Sequence, residues 1–161
     1  MKVLFSIFFS LFFFTNQGLP EVREQYFSAS KSKENAEKFY ALMSKYNKEN
    51  KVFLAYKGAA TALKSKYTTD KKLKRSLFID GVTMVENAVK SEANNAEIRL
   101  IRLSIQENTP KILKYKSNIE EDKKLILTVF DKQNAGLKEY IKLYVKQSKV
   151  FSEKEKQTLL K

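Results

Sequence analysis

The stretch AEIRLIRLSIQE, residues 96–107, places Arg99, Arg102 and Gln106 three and four residues apart, on one stripe of a helix. Two guanidinium groups one turn apart can grip a carboxylate or a phosphate, each through parallel N–H donors. The chain has 31 basic residues, only four of them arginine. Arginine on neighbouring turns therefore points to a need for the planar five-donor group that lysine cannot replace. Two readings stand side by side. In one, the arginines are held in a partly buried ion network by Glu107, or by Glu120, Glu121 and Asp122 of the following segment SNIEEDK. In the other, they hold an anionic ligand in a small cleft walled by Tyr56 and Tyr115.

Other reactive chemistry is sparse. The sequence contains neither histidine nor cysteine, which removes the usual general base, the commonest metal ligand and every Ser-His or Cys-His nucleophile. Carboxylate pairs and Ser-Lys neighbours will occur by chance in a chain this rich in both. The expectation is a non-enzymatic protein with no catalytic residue, metal or cofactor. A second candidate surface is the run Lys64, Lys66, Lys71, Lys72, Lys74 and Arg75, opposed within it only by Asp70. It reads either as a solvated loop and helix start or as a patch touching anionic envelope material.

The net charge of +13 suits an anionic partner, but the dominance of lysine, with frequent asparagine and isoleucine, is also what an AT-rich genome writes onto any solvated helix. Nucleic acid is not expected, because there is no arginine-rich stripe or recognisable binding motif.

The elements that must position these residues read as helices throughout the stretch after Glu21, since apolar residues recur at helical spacing and glycine and proline are scarce. Expected helices cover about 22–29, 32–46, 52–66 and 70–92, the last capped by Asp70 with a buried stripe through Leu73, Leu77, Gly81, Met84, Val85 and Ala88. The arginine helix follows from Ala96. Its residues Ile98, Ile101 and Ile105 face one way and Ala96, Leu100 and Leu103 nearly the opposite way, so it should be covered on two sides. Capping boxes are expected at Ser117–Glu120, opening a helix through Phe130, and at Ser152–Glu155. A further helix buries Leu137, Tyr140, Ile141 and Tyr144. Short breaks between helices imply antiparallel hairpins.

At the start, MKVLFSIFFSLFFFTNQG has one lysine, an apolar run from Val3 to Phe14 broken only by serines, and a polar end. This is the layout of a signal peptide. Twelve residues rise about 18 Å as a helix, short of a hydrocarbon core of roughly 30 Å. Residues 1–18 are expected to be removed, leaving 19–161 as one exported, periplasmic or secreted domain with one continuous core; an uncleaved anchor is the alternative. Without cysteine, helix packing rather than disulfides must stabilise it.

Ala36, Tyr40, Met43 and Lys48 share their spacing with Gly81, Val85, Ala88 and Ala93, and Gly58 stands 22 residues after Ala36. In these spacings, and in ANNAEIRL, residues 20–108 resemble the tetratricopeptide repeat. Departures are Lys48 and Ala93 at the proline positions, Leu54 at the usual tryptophan, and 23 residues between Gly58 and Gly81 where about 12 are usual. In this register Arg99, Arg102 and Gln106 should point at the partner helix or into a gap left there. The whole chain is also similar to short, exported helical proteins of Bacteroidetes-type bacteria, which carry no known activity. The tetratricopeptide resemblance implies an all-α stack of antiparallel hairpins forming a short solenoid, a monomer that binds a peptide or protein partner. The alternative is a binder of an anionic small molecule or envelope polymer through Arg99, Arg102 and the 64–75 segment.

Overall fold

The computed structural model describes residues 18–46 and 49–161. The leader, residues 1–17, and Lys48 of the repeat pattern lie outside the described residues. Eight α-helices follow one another among the described residues, with no strand: α1 Leu19–Ala29, α2 Lys33–Ser44, α3 Lys51–Tyr67, α4 Lys71–Ser91, α5 Ala96–Asn108, α6 Ile119–Val129, α7 Ala135–Gln147 and α8 Glu153–Leu160. The protein is all-α, built from antiparallel hairpins stacked in sequence. No described helix is long and apolar enough to cross a membrane.

Local chemistry explains most of the helix starts. Side-chain oxygens of Ser32, Asn50, Asp70, Asn95 and Asn134 each accept an N–H from the first turn of the helix they open. Ser152 and Glu155 form the reciprocal capping box of α8. The box expected at Ser117–Glu120 does not form. Helix α6 begins one residue later with Asn118 at its cap and no side-chain cap bond. The reason is tertiary. Gln106 Oε1 accepts the Asn118 N–H at 3.2 Å, and Glu121, now the third residue of the helix, is drawn to Arg99 at 2.7 Å.

Each of α1 to α5 packs on the helix that follows it, as α7 does on α8, and α3 also packs on both α1 and α5. The tightest crossing joins α3 to α4. A Cβ on Gly58 would lie 2.6 Å from the Gly81 carbonyl oxygen, and one on Gly81 would lie 2.5 Å from the Ala62 nitrogen. Only hydrogen fits at both positions, so the two backbones sit in contact.

Two apolar clusters replace the single core expected from the sequence. One holds Phe39, Met43, Tyr56, Val85, Ile98 and Ile101; the other holds Leu100, Leu103, Ile126, Phe130, Ile141 and Phe151. Helix α5 lies between them and gives one apolar face to each, with Tyr26 packed against both. Leu73 departs from the expected buried stripe and is exposed, and Leu77 is half-buried. Helix α4 has 21 residues, against 12 in α2 and 13 in α5 beside it. Its first turns therefore run past neighbours that would cover them.

Candidate functional site

Helix α5 carries charge on both of the faces that its apolar stripes leave between them. On the face toward α6, Arg102 grips Asp122 with two bonds, Nε to Oδ2 at 2.7 Å and Nη2 to Oδ1 at 2.6 Å. Its remaining Nη1 donates to Glu86 Oε2 of α4 at 3.1 Å. Arg99 Nη1 donates to both Asp122 and Glu121, at 2.8 and 2.7 Å, while its Nε donates to the Ala93 carbonyl at 2.7 Å. Asp122 is wholly buried, whereas the side chains of Glu86 and Glu121 are 41% and 55% exposed. The network is thus dry at its centre and open at its rim.

Arg102 stays charged here: burial alone would lower its pKa, but the bonds it donates to Asp122 and the fields of Asp122 and Glu86 outweigh this and raise it. Tyr115 donates its hydroxyl to Glu86, and burial together with that carboxylate pushes the phenol well above its ordinary range. Glu121 is held below the usual carboxylate range by its hydrogen bond from Arg99. Gln106, fully buried, bonds to Asn118 rather than to either arginine.

The other proposed partners lie elsewhere. Glu107 turns toward the end of α7, where it accepts the Tyr144 hydroxyl, Ser148 Oγ at 2.9 Å and the Lys149 N–H at 2.6 Å. It ties α5 to the end of α7. Glu120 sits on the solvent side of α6, paired with Lys123 at 2.9 Å. Proximity in sequence did not decide between four acids, because only Glu121 and Asp122 fall on the turn of α6 that faces α5.

Tyr56 is not a wall of this site. It lies on α3 and donates to Glu97 Oε1 at 2.8 Å, within a second network on the far face of α5. There Arg23 of α1 grips Glu97 with Nε at 2.8 Å and Nη2 at 2.7 Å, and its guanidinium lies 5.9 Å from the ring centroid of Tyr140 in α7. Sequence reasoning missed Arg23, Glu97 and Glu86. A signal for Arg23 existed, since three of the chain's four arginines are buried, Arg23, Arg99 and Arg102, while Arg75 is exposed. Scarcity of arginine marks the internal cations. Nothing local marks Glu97, which is 74 residues from Arg23.

The segment from Lys64 to Arg75 forms the tip of the α3–α4 hairpin. Lys64 Nζ sits 3.8 Å from the ring centroid of Tyr40, and Lys66 lies over Tyr67 at 5.3 Å. Lys71, Lys72, Lys74 and Arg75 are exposed, and the first turn of α4 has no acid. The tip makes no common site with Arg99 and Arg102, which are engaged by Ala93, Glu121, Asp122 and Glu86.

A groove of about 410 Å³ opens between α2 and α4, floored by α3. Tyr40, Met43, Leu77 and Met84 give it an apolar lining, with Lys57 and Asp80 among its polar residues. On α4 its residues 77, 80, 84 and 87 recur at helical spacing, and Leu73 extends the same stripe beyond the groove. No family model, curated protein or solved structure matches the chain, so the geometry above is the ground for its function.

Proposed function

We propose that the protein is an exported, non-enzymatic helical-repeat module of tetratricopeptide type, acting as a monomer that takes a peptide segment of a protein partner into the α2–α4 groove. The observation that carries this reading is the groove itself, where half-buried Tyr40, Leu77 and Met84 lie over the wholly buried Met43 and exposed Leu73 continues the stripe. Methionine adapts its shape to different apolar partners, and a helix or strand laid along α4 would meet side chains at one-turn intervals. The arginine pair supports the same assignment from the other side. With every Arg102 nitrogen already donating to a carboxylate, Arg99 and Arg102 work as an internal clamp between helices and leave ligand capture to another surface.

The reading is tested by placing a charge in the groove. Met84→Glu should abolish binding of a partner peptide, identified by cross-linking from a photoreactive residue at Thr83, and leave the helical circular dichroism spectrum intact. Peptide binding should weaken little with added salt, because apolar contact is not screened. A partner that binds Met84→Glu as well as the parent protein would remove the groove from the function.

A further inference from the structure

Among the described residues, the five exposed large hydrophobic side chains are Leu73, Ile79, Ile112, Leu113 and Leu143. Leu73 belongs to the groove stripe. Ile79 lies about 120° round α4 from that stripe, and Ile112 and Leu113 belong to the turn before α6, so their setting differs from that of the groove. Lys72, Arg75 and Ile79 recur at three and four residues, so they form one stripe on the solvent side of α4. The adjoining flank carries Phe78, whose ring meets Tyr115 edge-on at 6.1 Å between centroids. Tyr115, two residues after the short helical turn Lys111–Leu113, thus anchors the segment that follows this turn to α4. That turn ends at Lys114, the one described non-glycine residue with positive φ, at 51°. The left-handed residue turns the chain sharply and leaves Ile112 86% exposed, with Leu113 and Ile79 at 47% and 48%.

Lys111 and Lys114 flank Ile112 and Leu113 in the turn, and Lys72 and Arg75 share the solvent stripe of Ile79 on α4. On the same side of α4, Glu86 is engaged by Tyr115 and Arg102. Asp80, on the other flank, lines the groove and accepts from Ser76. We propose that this corner, formed by the first turns of α4 and the 111–114 turn, docks the protein on an anionic lipid bilayer. Three features favour that occupant. The apolar residues project as separate points instead of enclosing a groove, which suits a fluid surface better than a shaped partner. The cations around them are mainly lysines, long flexible point charges that need no fixed hydrogen-bond geometry, whereas arginine is used inside the protein where geometry matters. Aliphatic side chains flanked by basic residues gain both from entering the acyl boundary and from the surface potential of acidic headgroups. The corner is separate from the groove, and its docking holds or fails independently of peptide binding.

The chain has no tryptophan, so a single introduced indole reports one place. The apolar run at residues 3–14 can itself associate with bilayers, and bulk co-sedimentation would not show which surface touches lipid. With vesicles of equal parts phosphatidylglycerol and phosphatidylcholine, the emission of Ile112→Trp should shift to the blue and be quenched by brominated acyl chains. With phosphatidylcholine alone it should stay that of an indole in water. Leu143→Trp, on the exposed face of α7, should not respond to either. Adding Lys72→Glu, Arg75→Glu and Lys111→Glu to Ile112→Trp should weaken the response by more than about ten-fold. Two of those acids fall in the early turns of α4, where the helix dipole favours negative charge, so unfolding would not account for the loss. An unchanged emission spectrum of Ile112→Trp on anionic vesicles would overturn the proposal. So would an equal shift in Leu143→Trp, an undiminished response after charge reversal, or an equal shift of Ile112→Trp with soluble poly-glutamate, which would assign the corner to an acidic polypeptide.

Discussion

The two faces of α5 solve the same problem, a guanidinium taken out of water, in different ways. Toward α1 and α3, one arginine meets one carboxylate: Arg23 forks Glu97, Tyr56 adds a third donor, and the rings of Tyr26, Phe39 and Tyr56 pack on each other within 6.4 Å. Toward α6, two arginines share one buried carboxylate, and two further acids reach in from the rim. The first arrangement is sealed and has no spare acid. The second is redundant. A buried ion pair adds little net stability over apolar packing, but removing one member leaves the other uncompensated, and the cost then depends on what else can approach.

The largest expected effect is therefore at Glu97. Glu97→Gln leaves Arg23 buried without an acid partner and should cost about 3 to 5 kcal/mol in urea unfolding. Asp122→Asn keeps Glu86 and Glu121 within reach of both arginines and should cost less, about 2 to 4 kcal/mol. If Asp122→Asn proves the more damaging of the two, redundancy at the rim has no energetic meaning. Next comes Arg102→Lys, which retains charge but loses the fork on Asp122. It should lower the unfolding midpoint clearly, whereas Arg75→Lys at the solvated hairpin tip should leave it in place. Equal midpoints would deny the fork its role. Glu121→Gln, on the exposed rim, should change stability by roughly 0 to 1 kcal/mol and by less at high salt.

Alkali separates the interior from the surface in another way. Burial pushes Tyr26 up to about 12, and raises Tyr56, Tyr115, Tyr140 and Tyr144 further from the ordinary phenol. In the unfolded chain these phenols ionise near pH 10. Above that pH the unfolded state holds fewer protons than the folded one, so stability falls as pH rises. For Tyr26 the contribution is complete below about pH 10 and is lost as pH passes about 12. Phenolate absorbance should accordingly appear in two steps, exposed tyrosines first and the buried set together with loss of helical signal. A single smooth titration near pH 10 would show that the rings around both networks are open to water.

Helix order, most caps and the two-sided burial of α5 were legible in the sequence because they depend on periodicity and on residues within a turn of one another. Asp70 caps α4 and Ser152–Glu155 boxes α8 through contacts three residues apart, a range at which residue type settles the outcome. Ser117–Glu120 failed under the same rule, since Gln106, twelve residues from Asn118, competed for the cap. Leu73 failed for a related reason: its stripe is correct, but stripe position does not say whether a neighbour extends far enough to cover it.

By itself the sequence determined that this protein is helical, that histidine and cysteine chemistry is absent, and that the charged stripe of Arg99 and Arg102 lies between two apolar faces of one helix. Tertiary structure alone decided which acid each arginine meets, that Arg23 and Glu97 find each other, that Tyr56 joins them and not the Arg102 network, and that a groove opens between α2 and α4. Helical periodicity repeats every 3.6 residues and is written locally. Partnership between charges depends on the crossing of helices distant in sequence, here set by two glycines at the α3–α4 contact and by the length by which α4 exceeds its neighbours.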